Sequence, residues 1–160
     1  MYRATRDFVA ARARFCLPYG VAHIPNVKRI GGGITHECYD NALRYIETNT
    51  KDDDMALWSG WLVQPYDKLT NSTLILAHWW NLHKSGQHID TTPILDNAEY
   101  IQDYSLRKFC FENQGKLKTD MAHSLIYKDN QFFLITDPEK NEFIHVSDLS
   151  NDTLYKNKWV

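Results

Sequence analysis

Three side chains are of the types that make a thiol nucleophile work: Cys38, His78 and Asp90. A cysteine attacks a carbonyl as its thiolate, an imidazole carries the proton away and back, and a carboxylate holds the imidazole in one tautomer. Cys38 follows Gly31-Gly32-Gly33-Ile34-Thr35-His36-Glu37 and precedes Tyr39-Asp40-Asn41-Ala42-Leu43, a loop running into a helix with the stripe Tyr39, Ala42, Leu43, Ile46. Thr35 is the expected N-cap of a helix over 36–49, which puts Cys38 at N3, near the positive end of the helix dipole where a thiolate is favoured. Cys16 beside Phe15, and Cys110 between Phe109 and Phe111, have the apolar setting of inert core cysteines. The glycine triplet either lets a substrate backbone approach closely or is a mobile loop, and both readings stay open.

His78 and Asp90 lie on two runs, 73–83 and 87–92, rich in aromatic and branched residues, that read as paired strands. If Lys84-Ser85-Gly86 is a three-residue loop with Gly86 left-handed, residue 83 pairs with 87 and Asp90 faces Trp80. His78 and Asp90 then project from one face as diagonal neighbours, about 7 Å or less between Cβ atoms. A two-residue Ser85-Gly86 turn would move them to opposite faces. A rival base and orienter are His123 and Asp137, on strands 122–127 and 131–136 joined at Asp129-Asn130, although that turn sends Asp137 to the other face unless a bulge intervenes. Zinc on His78, His83, His88 and Asp90 is disfavoured because His78 and His83 point to opposite faces of one strand. Trp61, Trp79 and Trp80, with Trp58, are candidate walls of a substrate groove or members of a sheet core.

The elements that must position these groups fit one domain spanning 1–160, long enough for a core without disulfides. Ala4, Phe8, Ala11 and Phe15 mark a helix over 3–16, with Arg3, Arg6, Arg12 and Arg14 as its solvated face. Strands are expected over 56–64 and 142–146 in addition to those above, and a helix over 96–113. The class is α+β, helices packed on an antiparallel sheet. A net charge of -2 and a pI near 6.4 give no pull toward nucleic acid or an anionic membrane. Three cysteines without close pairs point to a reducing cytoplasm, and no apolar run suggests a signal peptide or a membrane span.

Cys-Tyr-x-Asn-Ala (38–42), Gly-Trp (60–61), His-x-Trp-Asn (78–81) and Ile-Asp-x-Thr (89–92), followed by Tyr100, resemble small bacterial and phage proteins of the papain-like cysteine hydrolase superfamily. That group also contains transglutaminase-like, NlpC/P60-like and arylamine N-acetyltransferase-like enzymes. The resemblance covers roughly 31–100. It implies a papain-like fold, Cys38 as nucleophile, His78 as base, Asp90 as orienter, a peptide, protein or small amide substrate, and no cofactor or metal. The departure is the oxyanion site: papain-like proteases carry a glutamine upstream of the cysteine, where this chain has glycines. The Cys38 backbone N–H is one expected oxyanion donor, Asn41, Tyr19 and Gln64 are the candidates for the second, and Gly32 is a further candidate for the oxyanion site or the substrate groove. The alternatives are an acyltransferase on the same three residues, or a binding module on the same fold that has lost catalysis.

Overall fold

The computed structural model describes residues 1–18, 20–49, 54–94, 96–112 and 122–156. In chain order these form α1 (Arg3–Ala13), β1 (Val21–Ile24), β2 (Val27–Arg29), α2 (Cys38–Thr48), β3 (Met55–Val63), β4 (Thr73–His83), β5 (His88–Asp90), β6 (Glu99–Asp103), α3 (Tyr104–Glu112), β7 (Leu125–Lys128), β8 (Gln131–Asp137), β9 (Glu142–Val146) and α4 (Asn151–Leu154). The class is α+β, as composition and periodicity indicate. The strands make one curled sheet in the order β1-β6-β3-β4-β7-β8-β9, with β5 added to β4 and β2 to β5. Every pairing is antiparallel except β2 with β5.

Alternation along β3 and β4 sorts their side chains between two cores. Trp61, Val63, Ile75 and Trp79 face the helices and join Phe8 of α1, Ala42 of α2, and Leu106 and Phe109 of α3 in the main core. Trp58, Leu62 and Trp80 face the other way and close a smaller cluster with Tyr100 of β6. His78 belongs by parity to this second face, whereas α2 packs on the first, through Tyr39 against Trp79 and Asn81 donating to the Ala42 carbonyl. β4 pairs with β7 only at Thr73–Ile75 and with β5 only at Asn81–Leu82. Among the described residues no strand pairs with β4 between those stretches.

Several sequence expectations are corrected. The span 96–113 is not one helix: 99–103 is a strand, and Asp103 Oδ1 accepts from the Ser105 and Leu106 N–H groups, so α3 starts only after this cap. Arg12 is not solvated. It is fully buried, as is Asp103, and its Nε–Oδ2 distance is 2.9 Å. Its other donors reach the Leu149 carbonyl, Asn151 Oδ1 and Tyr155 Oη, while Trp61 Nε1 donates to Asp103 Oδ2. A buried guanidinium with all these acceptors ties α1, β6, α3 and α4 together. β1, β2 and α4 were not anticipated, and α1 ends at Ala13. No helix among the described residues is long and apolar enough to cross a membrane.

Candidate active site

The hairpin loop has the odd length that brings His78 and Asp90 together. Gly86 adopts φ +86°, His83 N donates to the Gln87 carbonyl, and Asn81 and Leu82 pair with Ile89 and His88. His78 Nε2 and Asp90 Oδ2 are 2.7 Å apart, both side chains buried. With Nε2 taken by the carboxylate, the other ring nitrogen is left for the Cys38 thiol, which is hydrogen-bonded to His78. Cys38 stands at the first position of α2, with Glu37 as N-cap, two residues nearer the helix start than expected from Thr35.

Asp90 is held on every side. Oδ1 accepts from the Thr92 N–H at 2.9 Å, and Oδ2 accepts from the Tyr100 hydroxyl at 2.7 Å in addition to His78. Burial alone would raise its pKa, but the hydrogen bond and charge of His78, then the Thr92 and Tyr100 donors, hold it below the ordinary carboxylate value. Burial likewise works against the charged form of His78, and is outweighed by the hydrogen bond and charge of Asp90 and then by Cys38, so that His78 is pushed up to about 10. The two groups form an ion pair at neutral pH. The Trp80 ring stacks on His78 at 6.1 Å between centroids and 23° between planes, and Trp80 Nε1 donates to His88 Nδ1.

Cys38 and His78 line a cavity of about 760 Å3. Leu62, Leu76, Pro93 and Ile94 give it apolar walls, and Gln64, Thr92, Ser124 and Lys156 supply polar groups. Of the oxyanion candidates, Gln64 is there. Asn41 is not: its Oδ1 accepts from Ile34 N, and its Nδ2 donates to the Ile34 carbonyl and Thr92 Oγ1. It clamps the glycine loop instead of facing a substrate. Gly32 lies outside this cavity, beside Arg44 and Thr48. A Cβ on Gly33 would stand 2.3 Å from the Thr91 carbonyl oxygen, to which Gly33 N already donates. Gly33 therefore lets the loop dock against the segment that follows Asp90, while a Cβ on Gly31 or Gly32 would meet no described atom within 4 Å. Tyr19 lies outside the described residues.

Trp61, Trp79 and Trp80 are fully buried, so they are core and not groove walls. The rival pair is not assembled. Asp137 accepts from the Glu139 and Lys140 N–H groups and pairs with the Lys140 ammonium, while buried His123 Nδ1 has no hydrogen-bond partner among the described residues. The Asp129-Asn130 turn, with φ +51° and +62°, gives the expected register over 125–128 and 131–134; a bulge does intervene between Ile135 and Asp137, but the Asp137 carboxylate is engaged within its own turn. Burial pushes the Cys16 thiol up, no described residue lining its cavity of about 400 Å3 is a histidine, and Cys110 is fully buried. Among the described residues no group of three or more His, Cys, Asp or Glu is placed to hold a metal ion.

Sequence reasoning gave no role to Tyr100, to Trp80 as the platform under His78, or to Lys156. The Thr92 contact had a local signal, since Asp followed by Thr-Thr-Pro favours a carboxylate accepting from the N–H two residues on. Protein-family models, curated proteins and solved structures give no significant match to this chain. Its chemistry has to be read from the geometry.

Proposed function

We propose that the chain is a cysteine-dependent hydrolase of a peptide, isopeptide or small amide bond, on a papain-like arrangement of helix and sheet. The observation that carries this reading is the His78 imidazole fixed between Asp90 at 2.7 Å and the Cys38 thiol at the wall of an open cavity. An imidazolium beside the thiol and the positive end of α2 both favour the thiolate. Sγ attacks the carbonyl carbon, and the negative charge that develops on oxygen meets Gln64 and the first turn of α2. The C–N bond breaks as His78 gives its proton to the departing amine. Water then attacks the thioester, His78 takes a proton from it, the C–S bond breaks, and the acid leaves with the thiolate–imidazolium pair restored.

An activated ester tests this directly. p-Nitrophenyl acetate is expected to release a burst of nitrophenolate and leave an acetyl group on Cys38, found by mass spectrometry of the digested protein. Cys38→Ser and His78→Ala are expected to lose the burst. A burst of equal size in Cys38→Ser, or acetylation confined to other residues, contradicts the reading.

A further inference from the structure

The charge of the cavity wall narrows the substrate. The chain as a whole carries 20 acidic residues against 18 Lys and Arg, yet no described residue lining the cavity is a carboxylate. The polar lining includes Lys156, His36 and His78. Lys156 is well placed by the chain before it: Ala122 bridges to Tyr155, His123 N donates to the Leu154 carbonyl, and the Tyr155 hydroxyl is fixed to Arg12 and Ser105. No described carboxylate lies within ion-pair distance of its ammonium. A half-buried ammonium in a cavity without acidic residues is a site for an anion, which is held more strongly there than in bulk water. Leu62, Leu76 and Ile94 of the same lining are apolar.

Resting on the hydrolase reading, we propose that the substrate carries a carboxylate close to the scissile carbonyl, with Lys156 as its counter-ion and the Leu62, Leu76 and Ile94 wall receiving an apolar side chain. An amide whose carboxylate and apolar side chain lie near the bond to be cut fits this; a neutral polar amide does not.

Two small thiol reagents that differ in one charge test it. The rate of Cys38 alkylation is measured with iodoacetate and with iodoacetamide, sites of labelling being mapped by mass spectrometry, in the wild type and in Lys156→Ala, Lys156→Glu and Lys156→Arg. The ratio of the two rates factors out the reactivity of the thiol itself. The ratio of iodoacetate to iodoacetamide is expected to fall about tenfold in Lys156→Ala, the scale of one ion pair in a partly dehydrated site, and further in Lys156→Glu. Lys156→Arg is expected to keep it. A ratio unchanged across all four proteins, with Cys38 labelled in each, overturns the anion site and leaves the hydrolase reading standing. Failure of both reagents to label Cys38 in the wild type overturns the hydrolase reading and this inference with it.

Discussion

At the scale of the residue, one oxygen carries the arrangement. Asp90 Oδ2 accepts from both His78 and Tyr100, and Oδ1 takes the Thr92 N–H, so the carboxylate can hold the imidazole in one tautomer only while its own position is fixed from outside the hairpin. Replacing Asp90 by Asn is expected to cost up to about 10⁴ in kcat, because the amide can present its N–H to the ring and stabilise the wrong tautomer. Tyr100→Phe removes one of three partners and is expected to slow acylation about tenfold, the value of a single hydrogen bond to a charged group. Stopped-flow acylation of both variants checks this; full speed in Asp90→Asn removes Asp90 from the mechanism, and full speed in Tyr100→Phe shows that Thr92 suffices to hold it. The charges leave a second trace. His78 is raised from 6.5 to about 10 and Asp90 lowered from 3.8, so the stability they add is fully present between about pH 3.8 and 6.5. It is lost as pH climbs toward 10, where the folded state gives up a proton that the unfolded state has already lost, and again as pH falls below 3.8. Urea titrations are expected to show the wild type's advantage over Asp90→Asn shrinking at both ends; a difference constant from pH 5 to 10 contradicts the ion pair.

At the scale of the element, the site depends on a gap in strand pairing. β7 pairs with one end of β4 and β5 with the other, and His78 lies on the stretch between them, where no described strand pairs and where Cys38 of α2 lines the same cavity. The glycine loop is docked beside Asp90, through Gly33 on Thr91 and Asn41 on Ile34 and Thr92. Gly33→Ala is expected to push the loop off Thr91, lowering stability by about 1–3 kcal/mol through overpacking and slowing acylation as Cys38 shifts. Thermal unfolding and burst kinetics read the two effects; wild-type values for both would show the loop absorbs a methyl group without moving α2. The sequence made the hairpin legible because a three-residue loop with glycine at its last position fixes a register through bonds only a few residues apart. Asn41 was not legible in the same way. Its amide is a plausible oxyanion donor until the chain 51 residues on brings Thr92 to it.

For the whole molecule, what escaped the sequence was set by distant partners. The Arg12 guanidinium looks solvated until Asp103, 91 residues later, arrives beneath it. The same aspartate ends β6 and caps α3, and so hides a strand-to-helix junction inside what reads as one helical stripe from Tyr100 to Phe111. The class and the central strands were legible because alternation and periodicity act within one element. The path of the sheet, the two cores on its faces and the burial of all four candidate groove tryptophans come from packing between elements, which spacing alone does not encode. The His123 alternative was legible only in part: the two-residue turn dictates the register beside it, whereas the irregularity between Ile135 and Asp137 and the capture of the Asp137 carboxylate by the Glu139 and Lys140 N–H groups are not written in the spacing.

The central claim is that Cys38 and His78 form a thiolate–imidazolium pair. The most direct measurement is the pH dependence of Cys38 alkylation by iodoacetamide, followed by mass spectrometry, in the wild type and in His78→Ala. The wild type is expected to react at pH 6 nearly as fast as at pH 8, well below the ~8.5 at which an ordinary thiol ionises. His78→Ala is expected to return Cys38 to the ordinary profile. A wild-type profile that rises only around pH 8.5, or one identical in the two proteins, would contradict it.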